Sequence, residues 1–77
     1  MPVLKVLCAG RWSGDFLRRN MGFTNEQFIY SRDSIRGMDN FTLIVYGDAK
    51  QRPDYYEIMQ EAHTRRGVTV MYLDDRQ

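Results

Sequence analysis

Four polar side chains in this sequence have the chemistry to hold an anion, and each lies in a segment that follows an apolar run. An arginine guanidinium binds a phosphate or carboxylate through two parallel hydrogen bonds. A helix that starts near a serine adds backbone N–H groups that favour the same charge. The residues that we predict to bind such a ligand are Arg11, Ser13, Arg32 and Arg52. The alternative is that these charges pair with acidic residues across the loops, because connecting loops are polar whatever they bind.

No complete catalytic or metal-binding constellation accompanies these residues. His63 is the only histidine and Cys8 the only cysteine, so neither a disulfide nor a cysteine–histidine metal site can form within the chain. Asp48 and Asp74 could serve a nuclease or phosphodiesterase only with further carboxylates beside them. The turn at residues 10–14 lacks the spacing of a phosphate-binding loop. We therefore expect no catalytic residue, no metal and no cofactor.

The aromatic residues are numerous for so short a chain, at 13% of the sequence. Tyrosine and tryptophan bury a large area while keeping a polar group, and they are enriched at protein interfaces. The residues that we predict to lie in an interface are Trp12, Tyr30, Tyr55, Tyr56 and Tyr72. The alternative is that they cap the ends of a sheet and pack beneath its helices.

Four apolar runs, separated by glycines and polar segments, predict strands. The longest run, at residues 41–48, is rich in β-branched side chains and predicts the central strand. Helices are predicted after Ser13, which can cap a first turn, and after Pro53, whose ring suits a first helical position. Residues 33–38 are predicted to form at best one helical turn. The other three predicted strands span residues 3–9, 27–31 and 68–73.

This order of elements is typical of a parallel sheet with right-handed connections. It predicts an α/β fold, a small Rossmann-like sheet of four parallel strands with two helices and one short helical turn. The predicted strand order is 2-1-3-4, with 2-3-1-4 as the alternative. Ligands of such sheets bind beyond the carboxyl ends of the strands, where the four predicted anion ligands fall. We expect residues 1–77 to form a single α/β domain, since 77 residues suffice for one core at most.

Composition and charge limit the partners. Apolar residues make up 43% of the chain and charged residues 27%, which is typical of globular rather than disordered chains. The net charge of +1 argues against nucleic acid as a partner, because nucleic acid favours strongly basic surfaces. No apolar run approaches the ~20 residues that span a bilayer, and residues 1–5 lack the arrangement of a signal peptide. We therefore expect a cytoplasmic protein without membrane contact.

The segment before the predicted central strand resembles a known motif. Residues 34–40 (Ser-Ile-Arg-Gly-Met-Asp-Asn) and the Phe-Thr-Leu-Ile-Val run at 41–45 resemble the approach to the Walker B strand of helicases and terminases. Those families carry Asp-Glu after the strand to hold magnesium and activate water, whereas this chain has Tyr46, Gly47 and Asp48. The resemblance therefore implies a shared architecture and no hydrolytic activity.

Four features mark the boundaries of the predicted elements: a buried first strand with Trp12 after it, Arg36-Gly37 before the third strand, Arg52-Pro53-Asp54 at the second helix and Arg66-Gly67-Val68 before the last strand. In these features, over most of its length, the chain is similar to short uncharacterised Rossmann-like α/β proteins of bacteriophages that infect actinobacteria. The resemblance implies the fold and, for a phage protein, the host cytoplasm as the compartment. It implies no activity.

Two functional expectations follow. Two short helices are little cover for both faces of an apolar parallel sheet, and a chain of this length buries only about 60% of its unfolded surface. We therefore expect a non-catalytic protein that forms a homo-oligomer and acts through protein–protein contacts, with a host protein as a further partner. The alternative function is the binding of a nucleotide or other phosphate or anionic small ligand at the strand ends.

Overall fold

A computed structural model describes residues 3–73 of the chain and shows a parallel sheet flanked by two helices. The strands are β1 (Val3–Leu7), β2 (Phe41–Tyr46) and β3 (Thr69–Leu73), and both pairings are parallel in the order β1-β2-β3. β2 is the central strand, so the prediction that the apolar run after Asn40 lies in the middle of the sheet is confirmed.

The helices are α1 (Arg11–Met21), which follows β1, and α2 (Tyr55–Thr64), which follows β2. α1 begins earlier than a cap at Ser13 would place it, because Gly10 is the N-cap residue. The Gly10 N–H donates to Ser13 Oγ at 3.4 Å, and Ser13 Oγ–H donates to the Gly10 carbonyl at 3.2 Å. This reciprocal pair satisfies polar groups that a helix start otherwise leaves open. Three short 3₁₀ turns complete the elements of residues 3–73: Asn25–Gln27, Arg32–Ser34 and Gly47–Gln51.

The prediction of a four-stranded sheet is wrong. Residues 27–31 do not form a strand: the sheet has three strands over residues 3–73, and neither the order 2-1-3-4 nor 2-3-1-4 describes it. What remains of the predicted second strand is one parallel bridge from Phe28 to Val6, on the outer side of β1. The Ile29 N–H donates to the Val6 carbonyl at 2.9 Å.

Side chains explain why this ladder stops after one bridge. Gln27 lies in a 3₁₀ turn, which bends the chain before the bridge. After the bridge, the Tyr30 N–H donates to Ser34 Oγ at 3.1 Å, and the carbonyls of Ile29 and Tyr30 accept from Arg52. The backbone groups that a longer strand would use are therefore bound elsewhere. The helical turn predicted at residues 33–38 is reduced to the 3₁₀ turn Arg32–Ser34.

The two helices lie on opposite faces of the sheet. Alternate side chains of a strand point to opposite faces, so each face has its own apolar core. The core on the α2 face includes Leu7, Leu43, Val45, Ile58 and Met59, and the core on the α1 face includes Val6, Cys8, Leu17, Phe28 and Tyr46.

The central strand β2 and the edge strand β3 differ in how well they are covered. β2 has four buried residues of six, as a strand covered on both faces should. β3 is as apolar in sequence, yet within the part of the chain that the structure describes none of its five residues is buried. β3 is therefore the least covered of the three strands.

Candidate functional site

Large apolar side chains are exposed around β3. Met71 and Tyr72 belong to the strand and are exposed by 56% and 69%, while Trp12 on α1 and Tyr56 on α2 are exposed by 76% and 83%. We call these four side chains, together with the outer edge of β3, the β3 surface. Soluble proteins seldom leave a cluster of this kind in water unless it binds something.

On the α1 face, a row of aromatic rings leads from the helix to β3. The Trp12 ring stacks on Phe16 with 6.3 Å between centroids, and Phe16 lies 6.2 Å from the ring of Tyr46. Tyr46 is the register partner of Leu73 on β3. The helix therefore covers the part of the sheet near β1 and β2, and Met71, next to Leu73 on the same face of β3, is left exposed.

On the α2 face, Tyr55 and Tyr56 bound the same strand. Tyr55 is buried and meets Tyr56 edge to face, with 5.3 Å between ring centroids. Burial raises the pKa of Tyr55, and the neighbouring hydroxyls of Tyr72 and Tyr56 raise it further. The next residue, Glu57, pairs with Arg32 at 3.4 Å on the β1 side of the helix. Since successive residues are about 100° apart around a helix, Tyr56 points towards the β3 side.

The two edges of the sheet differ in their protection. The outer side of β1 carries the Phe28 bridge, and Lys5 Nζ on that strand donates to the Glu26 carbonyl at 2.9 Å. A lysine and a covering segment are common protections against edge-to-edge pairing. β3 reads Thr-Val-Met-Tyr-Leu, with neither charge nor proline, and within residues 3–73 no strand pairs with its outer edge.

The predicted interface residues separate into three groups. Trp12, Tyr56 and Tyr72 belong to the β3 surface, whereas Tyr55 is buried beneath it. Tyr30 is also exposed, but it lies beyond the opposite edge of the sheet, where its hydroxyl donates to the Asn25 carbonyl at 3.3 Å.

Sequence reasoning missed Met71. An apolar run such as Val-Thr-Val-Met-Tyr-Leu is typical of a strand buried on both faces, and nothing in its composition marks the exposed side. The available signal was its place in the chain: α1 follows the first strand and α2 precedes the last, so no further helix over residues 3–73 covers the α1 face of β3.

Arg52 is fully engaged within the protein. Its Nε and one Nη donate to the two carboxylate oxygens of Asp54 at 2.8 and 3.1 Å. The remaining donors reach the carbonyls of Cys8, Ile29 and Tyr30 at 2.9–3.1 Å. A guanidinium has five N–H donors, and all five are used. The hydrogen bonds from Arg52 lower the pKa of Asp54, and those to Asp54 raise the pKa of Arg52.

The four predicted anion ligands do not converge on one site. Ser13 is buried and its hydroxyl is used in the Gly10 cap, and Arg52 has no remaining donor. Arg32 lies at a separate hollow beside Glu57. The Arg11 side chain, at the start of α1, makes no hydrogen bond or ion pair within residues 3–73. It is therefore the member of the set whose charge is available.

Arg11 and Arg52 line one cavity of about 410 Å³ at the carboxyl end of β1. Its floor includes Phe28, over whose ring the Arg18 guanidinium lies at 4.6 Å from the centroid. Cys8 lines the same cavity, and burial raises the pKa of its thiol above the ordinary value. A cavity of this volume is of the size that small ligands occupy, although a protonated thiol is a poor nucleophile.

Of the acidic residues that could serve catalysis, Asp48 has a structural hydrogen bond, and Asp74 lies outside the residues that the structure describes. Asp48 Oδ1 accepts a hydrogen bond from the Ala9 N–H at 2.9 Å, which ties the ends of β1 and β2 together. Asp74 and Asp75 lie outside residues 3–73. Within that range the His, Cys, Asp and Glu side chains form no group of three or more that could hold a metal ion.

Comparisons of this chain with protein-family models, with curated proteins and with solved structures find no match. Over residues 3–73, neither helix has both the length and the apolar character needed to cross a bilayer.

Proposed function

We propose that this chain is a non-catalytic protein that associates with itself and acts through protein–protein contacts made at the β3 surface. The observation that supports this function is an apolar strand with none of its residues buried in the described chain. Removing apolar surface from water contributes about 25 cal/mol per Å². Cover for Met71, Tyr72 and the neighbouring rings is therefore a source of binding free energy that the single chain leaves unused.

Substitution of Met71 by lysine tests this proposal. Burying the exposed half of Met71 contributes about 1 kcal/mol per copy, and a contact between like copies includes it twice. We expect Met71→Lys to raise the dissociation constant of self-association at least roughly thirtyfold, as measured by sedimentation equilibrium. The matched control is Met21→Lys, because Met21 is exposed by 49% in the last turn of α1, and it should leave the constant unchanged.

Two results would contradict the proposal. One is a wild-type chain that sediments as a monomer at every concentration reached. The other is an equal loss of association in the Met71 and Met21 variants, because a general charge effect would then explain both. Circular dichroism of each variant checks that its secondary structure is retained.

A second candidate function is the binding of a phosphate or other small anion in the cavity beside Arg11. It is supported by the cavity volume and by a guanidinium without an internal ion pair in the described chain. A ligand at ten times its dissociation constant adds about 1.4 kcal/mol to stability, or about 6–11 °C for a domain of this size. We expect ATP or pyrophosphate to raise the melting temperature of the wild type and of Arg19→Ala, and to have no effect on Arg11→Ala. An equal rise in all three proteins would remove this candidate.

A further inference from the structure

We propose that the partner at the β3 surface is a second copy of this chain, whose β3 pairs antiparallel with β3 about a two-fold axis. The pairing joins two three-stranded sheets into one sheet of six strands. This inference rests on the proposed self-association and specifies its geometry.

The backbone of β3 supplies the first argument. On its inner side β3 pairs with β2 over five register partners, from Thr42 with Thr69 to Tyr46 with Leu73, and alternate residues direct their N–H and C=O groups to that side. Its outer N–H and C=O groups meet no strand within residues 3–73. Unpaired groups of this kind along a neutral strand form a template for another strand. On the other edge, Lys5 and the Phe28 bridge oppose such pairing.

Antiparallel pairing suits a strand that meets its own copy. In an antiparallel ladder, two directly opposed residues exchange both hydrogen bonds, so a residue whose groups point outward needs an equivalent residue opposite it. A two-fold-related copy supplies that residue. In a parallel ladder, a residue that bonds across the pair faces a residue whose N–H and C=O groups point away. Two identical strands aligned residue by residue do not meet this condition, because the bonding residues of both copies then face each other.

The sequence of β3 matches itself in one register best. Centring the pair on Met71 opposes Thr69 to Leu73 and Val70 to Tyr72, so that all five residues are paired. A β-branched side chain opposite an aromatic one is a favourable cross-strand pair. No charged residue lies on the strand, so no like charges meet. Shifting the register by two residues leaves only three of the five residues paired within β3.

The available area is sufficient for a specific dimer. A two-fold axis perpendicular to the sheet brings like faces together, so Met71 meets Met71 on the α1 face, while Tyr72 and Tyr56 of both copies approach on the α2 face. At roughly 150–250 Å² for side chains of this size, the exposed parts of these three offer on the order of 400 Å² per copy. With the strand backbone and the other β3 side chains, two copies exceed the ~1,000 Å² of a specific interface.

Cysteine cross-linking tests the geometry. Directly opposed residues of an antiparallel pair have Cα atoms about 4.5–5.5 Å apart, within the range that a disulfide spans. In a Cys8→Ala background, we expect Met71→Cys to form a disulfide-linked dimer under mild oxidation, with roughly fivefold more product than Met21→Cys. The two introduced thiols replace methionines of similar exposure, so chance collision affects both alike.

Hydrogen exchange on the wild-type chain provides a second measurement that needs no variant. The β3 amides should exchange at least roughly tenfold more slowly above the dissociation constant of self-association than below it, because pairing protects them. The β1 amides should not change with concentration. A chain that self-associates but gives neither the selective cross-link nor the protection of β3 overturns this inference and leaves the proposed function intact. A chain that stays monomeric overturns both, and a chain that remains monomeric yet binds a different protein at β3 assigns the edge to that protein.

Discussion

The Arg52 side chain makes hydrogen bonds that hold the segment after α1 to the sheet, in place of a longer strand pairing. Its guanidinium joins the carbonyl at the end of β1, that of Cys8, to the carbonyls of Ile29 and Tyr30. Asp54 balances the charge through two further bonds. One side chain therefore holds the segment after α1 against the sheet, where a longer ladder would need several backbone pairs.

Substitution of Arg52 by lysine should destabilise the fold. Lysine keeps the charge but loses the planar arrangement of five donors, which leaves part-buried carbonyls without partners. Hydrogen bonds from a charged donor contribute about 1.5–3 kcal/mol, so we expect a loss of about 2–4 kcal/mol in the free energy of unfolding, measured by urea denaturation. Arg32→Lys is the control, because its pair with Glu57 is solvent-exposed and should change stability by less than ~0.5 kcal/mol. Equal effects at the two positions would contradict this role for Arg52.

The sequence shows that a guanidinium follows the central strand, but it does not show which groups that guanidinium binds. Arg52 is predicted as an anion ligand because a guanidinium near the end of a strand suits a phosphate. Its actual partners include carbonyls 22 to 44 residues away in the chain. Main-chain carbonyls carry no signature in the sequence, so the internal use of this arginine could not be predicted.

At the scale of elements, two loops meet where β2 and β3 begin. The Asn40 N–H donates to the Arg66 carbonyl at 2.8 Å, and Asp39 Oδ1 accepts from the Arg66 N–H and from Arg65 Nε at 3.2 Å each. The Arg66 N–H and the Arg65 guanidinium lower the pKa of Asp39. α2 ends at Thr64, before Gly67, which forms the turn into β3 rather than the end of the helix.

Two glycines offer a matched test of this contact. Gly22 and Gly67 both have positive φ, at 74° and 69°, which costs an alanine about 1–2 kcal/mol. A Cβ on Gly67 would also collide with the side chain of Asn40 and lie 3.3 Å from its Cα, whereas a Cβ on Gly22 meets nothing. We expect Gly67→Ala to cost about 1–3 kcal/mol more than Gly22→Ala in urea unfolding. Similar losses would show that the two loops do not pack closely.

The elements differ in how far the sequence predicts them. β2 and α2 follow from β-branched composition and from apolar residues at helical spacing, both of which are local properties. The segment at residues 27–31 has strand composition as well, yet its neighbours are a 3₁₀ turn, a serine hydroxyl and a distant arginine. Propensity gives only a weak preference when side chains compete for the backbone.

At the scale of the whole molecule, the cover of each strand depends on where the helices lie. The aromatic row from Trp12 to Tyr46 places α1 over the first two strands. On the same face of β3, Leu73 packs against that core while Met71 stays exposed. The sequence predicts that the sheet is thinly covered, because two short helices are few for two apolar faces. It does not predict which strand is left uncovered, since β2 and β3 are equally apolar.

The difference between the two edges has a consequence for how large an assembly can grow. A sheet with an unpaired edge strand on both sides can add further copies at each edge, and such open-ended assembly forms fibrils. In this protein the β1 edge already carries the bridge from Phe28, and Lys5 places a charge there that opposes further strand pairing. Over residues 3–73 one edge of the sheet is therefore open to strand addition, so the proposed β3 pairing ends at two copies.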